Sequence, residues 1–177
     1  MEGLQARSRM IQLTVGLVNT NSLEPERLTS PAELSKFFTG HGEPAATVTW
    51  RDVTEVKLVR ERIRPIFNAS AAEAAGIING LLAQYATVPY LSEGGVGAWH
   101  LHTFQPDAAL ADRLAASCAL ALAGFATEHG FGAIATCAAP NCERVFVNAA
   151  RNRPRRFCSP PCSTRTRVAS YRARQRR

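Results

Sequence analysis

No run of eighteen apolar residues occurs in this 177-residue chain. The longest candidate, residues 114–126, is too short to span a bilayer and follows directly on Asp112 and Arg113. Residues 1–22 also lack an apolar signal core with a small-residue cleavage site. Both absences point to a cytoplasmic protein. There thiols stay reduced, so grouped cysteines favour a metal over disulfides. Enzyme signatures are missing too: no Ser-His-Asp frame, no phosphate-cradling glycine loop and no recognisable carboxylate pair. The expectation is therefore a protein that is not an enzyme. Internal repeats and low-complexity tracts are absent as well.

Lysine is scarce. Only Lys36 and Lys57 occur, so the net charge of +7 rests on arginine. A general preference for arginine explains the choice of cation but not its placement. Eleven arginines lie between Glu143 and Arg177 against one acid, giving that segment +10 and leaving −3 on residues 1–142. Such asymmetry calls for a polyanionic partner at the C-terminal end. The remainder, with an apolar content of 46% over the whole chain, is ordinary globular material.

Helix signals dominate the first 130 residues. Residues 1–10 read as a loose start, and Leu13 to Leu23 as a short helix or strand between which periodicity does not decide. Ser30, Pro31 and Glu33 form an N-cap, a first-turn proline and a capping-box acid, for a helix ending at Gly40. Asp52 and Glu55 predict the next start, with Val56, Val59, Ile63 and Ile66 on one face and Pro65 bending the last turn. Ser70 and Glu73 open a third helix that buries Ile77, Ile78, Leu81 and Leu82. Val88–Leu91 and Val96–Phe104, around a glycine-rich turn at 94–97, predict a β-hairpin. Pro106-Asp107 opens a long central helix, stopped by Gly130 and Gly132. The fold class expected is α+β: a mostly helical N-terminal domain (10–132) with one β-hairpin, then a small treble-clef-like zinc finger (133–177).

That second unit rests on Cys137, Cys142, Cys158 and Cys162, spaced C-x4-C-x15-C-x3-C. Two close thiol pairs separated by a hairpin-sized segment suit one tetrahedral Zn²⁺. Pro140 and Asn141 favour the tight knuckle. Residues 144–148 and 155–157 read as two strands around a turn at 151–154. Ser159-Pro160 starts a helix carrying Cys162 in its first turn. Phe146, Phe157 and Val168 are the expected apolar anchors. Four sulfur ligands leave no open coordination position, so the ion is expected to be structural. A ZnS₄ centre carries −2, which Arg155 and Arg156 would relieve.

On the last helix Arg165, Arg172 and Arg176 share one face, Arg167 and Arg174 take the opposite flank, and Thr164, Val168 and Tyr171 form a stripe able to pack inward. With Arg151, Arg153, Arg155 and Arg156 they make the candidate nucleic-acid surface. The alternative is a solvated basic tail.

The stretch from Cys137 through Val145-Phe146-Val147-Asn148, Arg151-Asn152 and Arg155-Arg156-Phe157-Cys158 to Cys162 resembles the CGNR zinc-finger family, as does the run 168–174. Cys162-Ser163-Thr164-Arg165 stands where that family has Cys-Gly-Asn-Arg. Upstream, Leu17-Val18-Asn19-Thr20, residues 28–38 and the helix pair resemble the ABATE domain, which precedes this finger in proteins classed as stress-induced bacterial transcription regulators. The resemblance implies a zinc-containing DNA-binding transcription regulator whose N-terminal domain senses a signal. A sensor or dimerisation domain with a small-molecule effector is the expectation for residues 10–132, and because a lone finger offers little contact area a homodimer is expected. Two alternatives stand beside it: an RNA- or ribosome-associated zinc protein, and a small-molecule-binding domain with a protein-docking finger. His100 and His102, on one strand face with Phe104, are the candidate ligand-pocket residues. Cys118 reads as a small core residue.

Overall fold

The structure, a computed structural model, describes residues 2–22, 25–43, 47–93, 99–105, 107–150 and 155–175. The expected loose start is instead a helix, α1 (Glu2–Val18), followed by a 3₁₀ turn at Asn19–Asn21. Thr14, Val15 and Gly16 are weak helix formers, which is why local pattern leaves the segment ambiguous. Burial decides it: Ile11, Leu13, Thr14, Leu17 and Val18 all face the interior. Thr14 settles its hydroxyl by donating to the Met10 carbonyl at 2.8 Å.

Helix α2 (Pro31–Gly40) starts behind the expected Ser30 cap, whose hydroxyl accepts from the Glu33 amide at 3.2 Å; among the described residues the Glu33 side chain does not complete the expected box. Helix α3 (Trp50–Ile63) starts three residues before the position expected from Asp52. Thr49 is the cap, and Asp52 is its partner at the third helical position: each side chain takes the other's backbone N–H. That reciprocal pair satisfies two otherwise orphaned donors, which Asp52 capping alone would not do. Pro65 turns the chain through a 3₁₀ segment at Arg64–Phe67. Helix α4 (Ala71–Tyr85) carries the expected Ser70–Glu73 capping box and buries Ala74, Ile78 and Leu81, leaving Ile77 and Leu82 half-buried. Strands β1 (Tyr90–Glu93) and β2 (Trp99–His102) pair antiparallel, Tyr90 opposite His102. Their glycine-rich turn lies outside the described residues, as does Pro106.

Helix α5 (Leu110–His129) is the centre of the fold, packing against α1, α3 and α4. It begins behind Ala109, later than Pro106-Asp107 suggests, and ends where Gly130 turns to φ +79°. By length and composition it is apolar enough to cross a membrane. Here its apolar side is spent on other helices. Ala115, Ala116, Cys118, Ala119 and Leu122 are fully buried, and the alanines let neighbouring backbones approach closely.

The chain then departs from expectation. Residues 133–136, expected as linker, contain strand β3 (Ile134–Thr136), which pairs antiparallel with β4 (Val145–Val147). Residues 155–157 do not join that ladder, though the Arg156 carbonyl accepts from the Ala138 amide at 2.8 Å. The physical reason lies in burial: Ile134 and Val145 enter the same apolar core as α1 and α5. The finger's hairpin is thus fastened to the helical domain. Helix α6 (Pro160–Gln175) follows.

Candidate zinc centre and basic surface

Four short sequence signals converge on one point. The β3–β4 ladder closes with the Cys137 amide on the Arg144 carbonyl at 2.8 Å, so the intervening residues form a knuckle. Asn141 turns it with φ +58°, a left-handed conformation that asparagine tolerates better than most side chains. Cys158 and Cys162 come from the approach to α6 and its first turn.

Sulfur geometry provides the test of fit. A tetrahedral site with Zn–S bonds of about 2.3 Å has edges of about 3.8 Å. The Cys142–Cys158, Cys158–Cys162 and Cys162–Cys142 separations are 3.8, 3.7 and 3.8 Å. With Cys137, all four ligand atoms lie within 4.8 Å of one another. The four thiolates fit a single zinc ion. Such an ion supplies folding energy to a unit whose own apolar cluster, among the described residues, comprises these cysteines, Ala139 and Phe157.

Surrounding groups set the charge. Burial pushes the Cys142 thiol up and the Cys158 thiol up to about 12, whereas the Ser159 hydroxyl draws Cys162 down to about 7. Zinc loading needs all four deprotonated, so it releases protons. The Cys158 amide points at the Cys137 sulfur from 3.3 Å. Arg165 reaches the Cys162 sulfur at 3.7 Å and the Pro140 carbonyl at 3.4 Å, while Arg155 donates to the Cys158 carbonyl at 3.2 Å. Arg155 also lies over the Phe146 ring and Arg156 over Phe157. These three arginines are occupied within the finger.

The rest of α6 is different. Among its described side chains only Cys162 is buried. Val168 is 43% and Tyr171 60% exposed, so the expected inward stripe does not form. From Arg167 to Gln175 every residue of the helix is exposed. Arg172 and Arg174 are exposed and stand at the negative end of the helix dipole. Arg167 is exposed too and donates to the Ser163 hydroxyl at 3.3 Å, where the family pattern has glycine. Arg151, Arg153 and Arg176 lie outside the described residues.

A contact that sequence spacing could not disclose joins the two units. The Asn19 side chain donates to the Val145 carbonyl at 2.9 Å and accepts from the Val145 amide at 2.8 Å. This amide clamps strand β4 as a neighbouring strand would. Nearby, Arg60 is buried and bonded to Thr20, Glu26 and Glu61.

The ABATE family model matches residues 12–129 and is described as "Putative stress-induced transcription regulator". The chain belongs to the ABATE family. Residues 134–175 match the CGNR zinc finger, so this ABATE protein carries its finger directly behind α5. No curated protein matches the chain. Within the ABATE region, His102 stacks on Tyr90 with ring centroids 5.3 Å apart and meets Phe104 edge-on at 5.7 Å. The His100 side chain is outside the described residues. Cys118 is wholly buried, its thiol pushed up to about 12 by loss of solvent, as suits a core residue and not a redox sensor.

Proposed function

We propose that this protein is a cytoplasmic DNA-binding transcription regulator in which zinc holds α6 and the arginines of α6 contact duplex phosphates. One observation carries the reading: α6 is anchored at its first turn by Cys162 and Arg165, and from Arg167 to Gln175 it stands exposed and basic. A polar helix without a packing face is unusual in a finished fold and suits one completed by a partner. At about 1.5 Å per residue it is about 24 Å long, a size that a major groove accepts. A zinc held by four sulfurs has no free position for substrate, which supports a non-catalytic role. The helical domain is read as the sensor.

Fluorescence anisotropy on mixed duplex DNA, with structured RNA as competitor, tests this. Arg172→Gln with Arg174→Gln should weaken duplex binding by at least about tenfold and lower the salt slope by about two, one per phosphate contact. Arg165 is left intact because it touches the zinc centre. Unchanged affinity in the double variant removes α6 from the interface. Preferential capture by RNA replaces the DNA reading with an RNA one.

A further inference from the structure

Where the helical domain meets the finger there is an open cleft of about 600 Å³. One wall is α1, with Gln12, Val15 and Gly16, continued by Asn19 in the 3₁₀ turn; the other is α2, with Lys36 and Phe37, and His41 just beyond. Arg27 closes one side. Arg144 reaches it from the finger, two residues after the zinc ligand Cys142.

Charge and shape select an occupant. Among the described residues the lining holds three cations, Arg27, Lys36 and Arg144, against one carboxylate, Glu33, and no ion pair engages any of the three cations. Val15, Leu28 and Phe37 are the apolar members of the same lining. Gly16 is the second observation. Glycine inside a helix is less favourable than alanine, and at Gly16, unlike Gly76, Gly80 and Gly124 in their helices, there is no room for a Cβ. A Cβ there would stand 2.5 Å from His41 Nε2. The His41 ring is held in that place by its Nδ1 on the Phe37 carbonyl at 2.7 Å and by the Phe37 ring itself at 4.4 Å. Because a carbonyl only accepts, Nδ1 carries the proton. Gly16 thus leaves room for an imidazole in the lining of the cleft.

We propose that this cleft binds a small organic anion, a carboxylate or phosphate monoester on a flat apolar body, held by Lys36, Arg27 and Arg144 over Phe37. The proposal deepens the sensor role read above and rests on it. Its consequence is positional. An anion held by Arg144 lies one residue from Val145, whose backbone Asn19 clamps, so the occupant joins α1 and α2 to the finger.

The test is a titration of zinc-loaded, full-length protein, followed by amide NMR, with 1-naphthoate, 1-naphthyl phosphate, inorganic phosphate and the neutral 1-naphthalenemethanol. Saturable shifts are expected at Gly16, Phe37, His41 and Arg144 with one or both naphthyl anions, and the naphthoate and naphthyl phosphate arms tell carboxylate from phosphate recognition. The neutral alcohol should bind at least about tenfold more weakly, and Lys36→Gln and Arg144→Gln should each weaken the anion by about fivefold. The proposal is overturned if no probe saturates at these residues up to about 10 mM. It is also overturned if the alcohol or inorganic phosphate matches the naphthyl anions, or if both variants bind like the parent. Duplex binding is read on the same samples. Lys36 lies far along the chain from α6, so loss of naphthoate binding with intact duplex binding, or the reverse, separates failure of the cleft from failure of the DNA reading.

Discussion

Asn19 makes two hydrogen bonds to one residue 126 positions away, and in doing so behaves as a piece of β-strand at the end of a helix. Both Val145 groups lose their partner if the amide is removed, and Val145 is buried. Asn19→Ala should therefore destabilise the protein by about 1–3 kcal/mol in urea denaturation, because buried backbone groups left unpaired carry their full desolvation cost. Asn19→Asp retains an acceptor and loses a donor, and should fall between. Arg60 presents a related case. Its side chain is 4% exposed and ion-paired with Glu26 and Glu61. Arg60→Met should cost about 3 kcal/mol, mostly through the carboxylates and Thr20 hydroxyl left behind. Both residues were visible in the sequence as ordinary polar positions. Nothing in spacing marks an arginine on a helix as buried until the segment carrying Glu26 folds over it.

At the scale of elements, local chemistry foretold starts better than partners. The Ser70–Glu73 box and the Ser30 cap sit where the pattern places them, because a cap depends on residues within one turn. Ser70→Ala should lower stability by about 1 kcal/mol, checked by the urea midpoint, since it removes the acceptor for the Glu73 amide. The Asp52 start was misplaced because Asp52 does bond a cap residue, only from the other side of the box. Strand pairing was less legible: 155–157 has a strand-like composition, but β3 wins the pairing through Ile134 and its place in the core. Acid should act through one local pair, Ser70–Glu73, and one long-range pair, Arg60–Glu26. The Glu73 carboxyl is lowered by the Ser70 hydroxyl and amide; in Glu26 burial pulls upward but Arg60, with the Leu28 amide, outweighs it. Depressed folded-state values mean stability present above the unfolded value and lost as pH falls through the folded one. The urea midpoint should therefore decline below about pH 4.5, and Glu26→Gln should flatten that decline.

For the whole molecule, the decisive fact is that the zinc hairpin shares its strands with the helical core. Chelation should then reach beyond the finger. With zinc removed, hydrogen exchange should rise across α6 and the knuckle, and also at Val145, Asn19 and the β3 amides, while the centre of α5 stays protected. Exchange confined to residues 155–175 would mean that the core holds the hairpin without metal. Thermal unfolding should shift downward on chelation, and the shift should be smaller in Asn19→Ala, because the clamp that transmits it is already lost.

By itself the sequence determined what depends on neighbours within a few residues: the capped helices, the glycine stop after α5, the four-sulfur ligand set and the concentration of arginine around it. Ligand spacing is legible because one ion must be reached by short chain segments on either side. Only the tertiary structure decided which arginines touch the zinc knuckle and its aromatic rings, that α1 is helical to its end, and that β3 and Asn19 bind the finger to the core. It also brought Lys36, His41 and Arg144 around one cleft. Those outcomes depend on burial and on contacts across more than a hundred residues, where local propensity carries no information and the competition among apolar faces for one interior does.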